Sequence, residues 1–241
     1  MYYDQLPYDI RCEWGLPGIE QLAPASDVVV IVDILSFSTC VDIAVSRGAV
    51  VYPYKWKGGP HEYDRSSIDA GAQLASQERS AARFSLSPAS LTGIAPGTKL
   101  VLPSPNGSAL SLATGIRPTL AGCFRNAKAI ALAAQMLGTA ILVVPAGERW
   151  ADGSLRPAIE DLLGAGSIIC HLNGKKSPEA QIAQAAFLSV ESRLEATLRA
   201  CSSGRELIER GFEQDVRLAA QLDASDTVPA LRDGAYQHGS S

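Results

Sequence analysis

The chain has 241 residues, enough for one large α/β domain or two small ones. With 46% hydrophobic and 19% charged residues it can fill a sizeable core, which excludes global disorder. A formal net charge of −4 and the lack of any Lys/Arg run exclude an electrostatic footprint for nucleic acid or an anionic membrane. Only 6% of residues are aromatic, so the core must rest on Ala, Val, Leu and Ile.

In chain order, the strongest strand signal is DVVVIVD, 27–33, a continuous β-branched run suited to a strand buried on both faces. STCVDIAVSRGA follows as a helix, with Val41, Ala44 and Val45 on one face and Gly48 as a stop. AVVYPY, 49–54, reads as the next strand, and SIDAGAQLASQER as a helix after a polar loop. KLVL, 99–102, is a strand, followed by a helix from about Ser108 and a short strand at 119–123. NAKAIALAAQML, 126–137, is an Ala-rich helix with Asn126 as its N-cap, and AILVVPAG, 140–147, is another buried strand. Beyond it the pattern turns helical: PAIEDLLGAGSIICHL, a long helix from Pro178 to about Cys201, then shorter helices through Leu222. The alternation predicts βα units in a mostly parallel sheet, a three-layer α/β/α fold. No composition break divides the chain, so residues 1–241 read as a single domain with a mainly helical C-terminal third.

The five cysteines, Cys12, Cys40, Cys123, Cys170 and Cys201, form neither a CxxC pair nor zinc-finger spacing. The first residues carry no secretory pattern, and the apolar runs are far shorter than a membrane span. The expectation is a cytoplasmic protein with reduced thiols, no membrane association, and self-association left open.

In open α/β sheets ligands bind beyond the carboxyl ends of strands, which directs attention to four loops. Asp33 closes an apolar strand, where a bare carboxylate is costly; a metal ion, a cluster of donors or a helix cap would each explain it. Ser36, Ser38 and Thr39 follow at the start of the next helix. In VLPSPNGSAL, Asn106, Gly107 and Ser108 can turn successive backbone N–H groups toward an anion, with Ser104 and Ser108 adding hydroxyls and Gly107 permitting positive φ. Ordinary proline-rich turn chemistry capped by Ser108 accounts for the same residues. Arg125 with Asn126, and Arg149 and Arg156, lie in the other two loops, where arginine suits an anionic oxygen pair. Glu160 and Asp161 open a helix; neighbours there diverge by about 100°, so one can face the site while the other holds a partner. Carboxylates in a first turn also suit the helix dipole. His61, His171 and His238 have no ligand-type neighbours, and no GxSxG, Walker or GxGxxG motif follows a strand.

These segments, Asp33-Ile34-Leu35 with Ser38-Thr39, SPNGS, GCFRNA, and PAG followed by SLRPAIEDLLGAG, occur in the order of the 2-phosphosulfolactate phosphatase (ComB) family, which the chain resembles over roughly residues 27–236. The tail GFEQDVRLAAQLDASDTVPALRDGAY resembles that family's C-terminal segment as well. The resemblance implies a Mg²⁺-dependent phosphatase of α/β/α fold that releases phosphate from 2-phosphosulfolactate, a step of coenzyme M biosynthesis. It carries the family's strand-end acid onto Asp33, its anion loop onto Asn106, Gly107 and Ser108, its following asparagine onto Asn126, and its acidic pair onto Glu160 and Asp161. Mg²⁺ is then expected on Asp33 and one of Glu160 and Asp161, the other carboxylate orienting water. The 106–108 amides are expected to hold phosphate oxygens, and Ser36, Ser38 and Cys123 are the alternatives to direct water attack.

The sequence departs from the family pattern D-V-L-R-A-T/S-T, placing Ser36 where an arginine is usual, and the family's Gly-Glu-Arg-Gly stretch appears as Gln77-Glu78-Arg79-Ser80. Losing that arginine removes a permanent anion clamp, and Arg125 is the expected replacement. Two other functions stay open: a phosphatase for another small phosphorylated acid, and a non-catalytic anion- or metabolite-binding protein. A nucleotide-binding α/β protein is a third, more remote reading.

Overall fold

The computed structural model describes residues 3–55, 71–76, 78–79 and 83–239. Its strands are β1 (Ile10–Cys12), β2 (Val28–Val32), β3 (Val50–Tyr54), β4 (Gln73–Leu74), β5 (Lys99–Pro103), β6 (Thr119–Gly122), β7 (Ile141–Pro145), β8 (Glu148–Arg149), β9 (Leu155–Arg156), β10 (Pro229–Arg232) and β11 (Ala235–His238). Its helices are α1 (Gly15–Leu22), α2 (Phe37–Ser46), α3 (Pro88–Leu91), α4 (Gly107–Ala113), α5 (Ala127–Leu137), α6 (Ile159–Cys170), α7 (Pro178–Leu188), α8 (Leu194–Ala200), α9 (Ser202–Glu209) and α10 (Glu213–Ala219). Among the described residues no helix is long and apolar enough to cross a membrane.

Nine strands share one sheet, in the order β1-β7-β2-β6-β10-β11-β3-β5-β4, and β8 pairs with β9 in a separate hairpin. The first four strands pair parallel, as do β3, β5 and β4. Between these two parallel groups lies the β10–β11 hairpin, antiparallel to β6 on one side and to β3 on the other. The all-apolar β2 is buried on both faces because helices cover both. Val28, Val30 and Val32 pack into a cluster with α5, α6 and α7, whereas Val29 and Ile31 pack against α1 and α4. A third cluster joins α2 and α3 to β3, β5 and Tyr236 of β11. The three-layer, mostly parallel arrangement expected from the alternation is the one observed.

The details differ from the sequence expectation in four places. The helix expected over SIDAGAQLASQER is absent from its described part, where Gln73–Leu74 instead add an edge strand to β5; residues 67–70 and 77 lie outside the described residues. The long helix from Pro178 breaks after Leu188, and a 3₁₀ turn at Glu191–Arg193 leads into α8. β1 and α1, in a stretch given no element by its pattern, cover one sheet edge. The β10–β11 hairpin falls in a tail read only for its family likeness. Its turn signal is Asp233-Gly234, both at positive φ (51° and 78°), as a tight hairpin turn requires.

Tyr236 fixes this insertion. It is fully buried, packs edge-on against Phe37 at the start of α2, and donates its hydroxyl to Ser111 Oγ on α4 at 2.8 Å. Burial raises its phenol pKa, so the hydroxyl stays protonated and able to donate. Removing the ring should cost about 3–5 kcal/mol, and removing only the hydroxyl about 0.5–1.5 kcal/mol. Chemical denaturation of Tyr236→Ala and Tyr236→Phe is expected to show that ranking; equal losses would place the stability elsewhere.

Candidate active site

Asp33 sits one residue past the end of β2, buried among helix starts. Its Oδ1 accepts the Phe37 amide at 3.1 Å and its Oδ2 accepts the Gly107 amide at 2.9 Å, joining the starts of α2 and α4. Gly107 permits this by its lack of a side chain: a Cβ would stand 2.3 Å from Phe37 Cδ1 and 2.8 Å from Asp33 Oδ2. Its φ is not in the left-handed region, so close approach, rather than the positive φ allowed for in the sequence, is what the position demands.

Behind Asp33, Asp161 braces two strand ends. Its Oδ1 accepts the Ile34 amide at 2.8 Å and its Oδ2 the Gly147 amide at 2.9 Å, tying the end of β2 to the loop after β7. Glu160, buried beside it on α6, contributes negative charge that raises Asp33. On the cleft side, Glu148 accepts the Asn106 side-chain amide at 2.9 Å. Burial, and then the charges of Asp33 and Glu160, push Glu148 up to about 7 against that hydrogen bond. Asp33 and Asp161 are also raised, burial being the largest cause in both; for Asp33 the Phe37 and Gly107 amides and Arg79 pull the other way.

Asp33, Ser36, Ser104, Asn106 and Glu148 line a cleft of about 280 Å³ together with Arg79, Arg149, Arg156, Glu206 and Arg210. That volume, at the low end of the roughly 300–1,000 Å³ of drug-sized sites, suits a metabolite of a few carbons better than a nucleotide. Arg79 reaches Ser36 Oγ at 3.1 Å through one nitrogen and Asp215 Oδ2 at 2.9 Å through another. Arg156 donates to Ser203 Oγ on α9 at 3.1 Å, and Arg210 to Glu206 at 3.0 Å. A lining that combines carboxylates with several guanidinium groups is the composition expected of a site for a small polyanion with a hard cation.

Several sequence-stretch expectations are corrected by this geometry. The Asn106 and Gly107 amides do not point freely at an anion: the first donates to Ser104 Oγ at 3.3 Å and the second to Asp33. Ser108 donates to the Leu102 carbonyl, Ser38 to Ile31 and Thr39 to Ile34, so these three buried hydroxyls satisfy backbone instead of facing the cleft. Asn126 caps the turn at Phe124–Asn126 and bonds the Ala121 and Thr227 carbonyls. Cys123 is fully buried and its thiol pKa is pushed upward by burial, which removes it as a phosphoryl acceptor. Asp161, with both oxygens on main-chain amides, is a brace and not a cleft-facing ligand.

Arg125 is the clearest correction. Its Nε lies 2.8 Å from Asp42, a carboxylate with no exposed side-chain surface, and it also bonds Gln221; it does not line the cleft. The cation at Ser36 is instead Arg79, from the stretch noted for its departure from the family pattern. Glu148 escaped the sequence reading although it adjoins Arg149 in a loop already singled out. Arg210, Glu206 and Ser203 escaped because α9 lies some 170 residues from Asp33 in sequence and reaches the cleft only through the fold. Among the described residues no three His, Cys, Asp or Glu side chains converge closely enough to ligate one metal ion.

Comparison with known proteins places this geometry in context. The family described as 2-phosphosulpholactate phosphatase matches residues 18–234. A protein of Methanothermobacter thermautotrophicus named 2-phosphosulfolactate phosphatase is 30% identical over 214 residues, covering 88% of this chain and 90% of that one. Proteins named probable 2-phosphosulfolactate phosphatase from Carboxydothermus hydrogenoformans and Thermotoga maritima are 32% and 28% identical, covering 91% and 89% of this chain and 92% and 95% of their own lengths.

Two measurements check the site. A carboxylate raised in the folded state makes stability fall as pH rises through the interval between its unfolded and folded pKa. Without divalent cation, the unfolding free energy should therefore decline between the ordinary glutamate value of 4.5 and about 7, and Glu148→Gln should flatten that slope. An unchanged slope would mean Glu148 is not shifted. Arg125→Ala should strand the buried Asp42 charge and cost about 3–5 kcal/mol of stability while leaving inorganic phosphate affinity intact; weakened phosphate binding would return Arg125 to the site.

Proposed function

The chain belongs to the 2-phosphosulpholactate phosphatase family, and on that premise we propose that it is a phosphoric monoester hydrolase that converts 2-phosphosulfolactate and water to sulfolactate and phosphate. The observation that carries this reading is the cleft lined jointly by Asp33, Glu148 and Asn106 and by Arg79, Arg149, Arg156 and Arg210. The substrate carries phosphate, carboxylate and sulfonate, and the lining arginines supply permanent charge to receive them.

Mg²⁺ fits the carboxylates. The charge of Glu160 raises the cost of ionising the buried Asp33, a repulsion that a hard cation relieves, and Mg²⁺ commonly takes one or two carboxylates and completes its shell with water. Asp33 and Glu160 would hold it, and when bound it would polarise the phosphoryl oxygens and offset charge developing at phosphorus. Asp161 keeps Asp33 and Glu148 in register by gripping the Ile34 and Gly147 amides. Glu148, whose proton is exchangeable near neutrality and whose orientation is set by Asn106, accepts a proton from the attacking water. The water oxygen joins phosphorus as the ester P–O bond breaks, and the leaving alkoxide takes up the proton that Glu148 received, which gives the free hydroxyl and restores the carboxylate. Ser36 lies in the cleft but shares its hydroxyl with Arg79, which supports direct water attack over a phosphoserine.

A second reading, turnover of a different small phosphorylated acid, is favoured by Ser36 itself, since the position lacks the arginine usual in the family. Phosphate release from 2-phosphosulfolactate and a panel of phosphorylated two- to four-carbon acids, with Mg²⁺ and with chelator, separates the two. Metal-dependent release fastest from 2-phosphosulfolactate is expected, with Asp33→Asn lowering kcat by at least about 10²-fold. Faster turnover of another acid would select the second reading, and saturable binding without release would leave a binding protein.

A further inference from the structure

Asp215, in the FEQDVRLAA stretch of the C-terminal segment, is 1% exposed although it lies on a short amphipathic helix. Its two oxygens do different things. Oδ1 accepts Ser87 Oγ at 2.6 Å and the Ala89 amide at 3.0 Å, capping the start of α3. Oδ2 takes Arg79 Nη1 at 2.9 Å, and the Arg79 side chain is itself only 9% exposed. Three residues before Asp215, the Phe212 ring lies 5.7 Å from the Arg79 guanidinium and 5.9 Å from that of Arg210, so one ring supports two of the cleft's cations. The cap accounts for Oδ1 but not for Oδ2, nor for an aromatic face beneath two arginines of the same cleft lining.

We propose that Phe212 and Asp215 are positioning residues that hold the Arg79 guanidinium over Ser36 as the anion-binding cation of the cleft. The inference rests on the functional reading above for the identity of the anion, and on geometry alone for the arrangement. An arginine with four rotatable side-chain bonds is an efficient anion clamp only when its plane is fixed in advance. Here Asp215 takes one edge, Phe212 supports a face, and Ser36 meets Nη2, leaving the guanidinium poised at the cleft. Where the family pattern carries a further arginine at the strand end, this chain has Ser36, whose hydroxyl meets Arg79, the arginine that the Glu-Arg pair of the family pattern also contains.

The test is calorimetric titration of the full chain with inorganic phosphate, beside steady-state kinetics on 2-phosphosulfolactate and thermal unfolding. The variants are Asp215→Asn, Phe212→Leu, Arg79→Met and the double variant Arg79→Met/Asp215→Asn. Asp215→Asn retains Oδ1 for the α3 cap and alters only the group facing Arg79. Coulomb's law alone predicts that removing this negative charge tightens phosphate binding. Positioning predicts the reverse: Kd for phosphate and KM each rise on the order of tenfold in Asp215→Asn, with kcat changed far less. Phe212→Leu weakens phosphate binding in the same direction, and decides the matter alone if Asp215→Asn does not fold. On the Arg79→Met background, Asp215→Asn adds nothing further. Unchanged or tighter phosphate binding in the single variants, or the same loss with and without Arg79, would overturn the proposal, as would a wild-type protein that binds no phosphate. Lack of turnover on 2-phosphosulfolactate would defeat the functional reading, while the phosphate titrations would still decide this one.

Discussion

A carboxylate at the end of a wholly apolar strand is expensive to bury, and the site is organised around how that expense is met. Asp33 does not rely on one partner. The Phe37 amide takes one oxygen and the Gly107 amide the other, so the starts of two helices from different βα units converge on it. Those amides are the orphan donors of helix starts, which the fold must satisfy in any case. The same contact therefore completes two helices, seats a charged group at the strand end, and sets the distance between the 33–38 and 104–108 loops. Gly107 is bound into this arrangement because any side chain would collide with both Phe37 and Asp33.

From that anchor the cleft follows. Asp161 repeats the device one layer back, with two main-chain amides on its two oxygens, so that Asp33 and the loop bearing Glu148 move as one piece. The lining arginines come from three places: the 78–79 segment, the two strands of the β8–β9 hairpin, and the residue after α9. Arg79 and Arg210 are each held by a carboxylate, Asp215 and Glu206, while Arg149 and Arg156 bond the Gly153 carbonyl and the Ser203 hydroxyl. Asp42 and Arg125 also meet directly, but outside the cleft lining, and hold the α2 helix to the 123–126 turn.

The parts visible in the sequence are those whose physics is local. β2 and β7 announce themselves because a strand buried on both faces must be apolar at every residue, and α5 because its apolar period lies within a dozen residues. Asn126, at the N-cap position of α5, turns its side chain to Cys123 instead of capping that helix. Asp33 and the SPNGS loop could be found for the same reason, each being a polar interruption at a strand end. What such reading misassigned was direction. Backbone amides at 106–107 looked free for an anion, yet a carboxylate distant in sequence already occupies one of them. Arg125 and Arg79 are alike as letters; only the fold shows that one is neutralised by Asp42 and the other is presented to Ser36. The C-terminal hairpin was obscured because its strands are four residues long and lack β-branched runs, leaving Asp233-Gly234 as its sole local mark.

That hairpin bears on how the sheet holds together. β6 and β3 belong to separate parallel groups, and the ladder joining them passes wholly through residues 229–238, later in the chain than every other strand. Helices α2 and α4 pack on strands of both groups, but the sheet itself is continuous only through this hairpin. Tyr236, carried on it, closes over Phe37 beside the α2 start that grips Asp33. Without those ten residues β6 and β3 would have no strand between them, and Phe37 would lose the ring that packs against it.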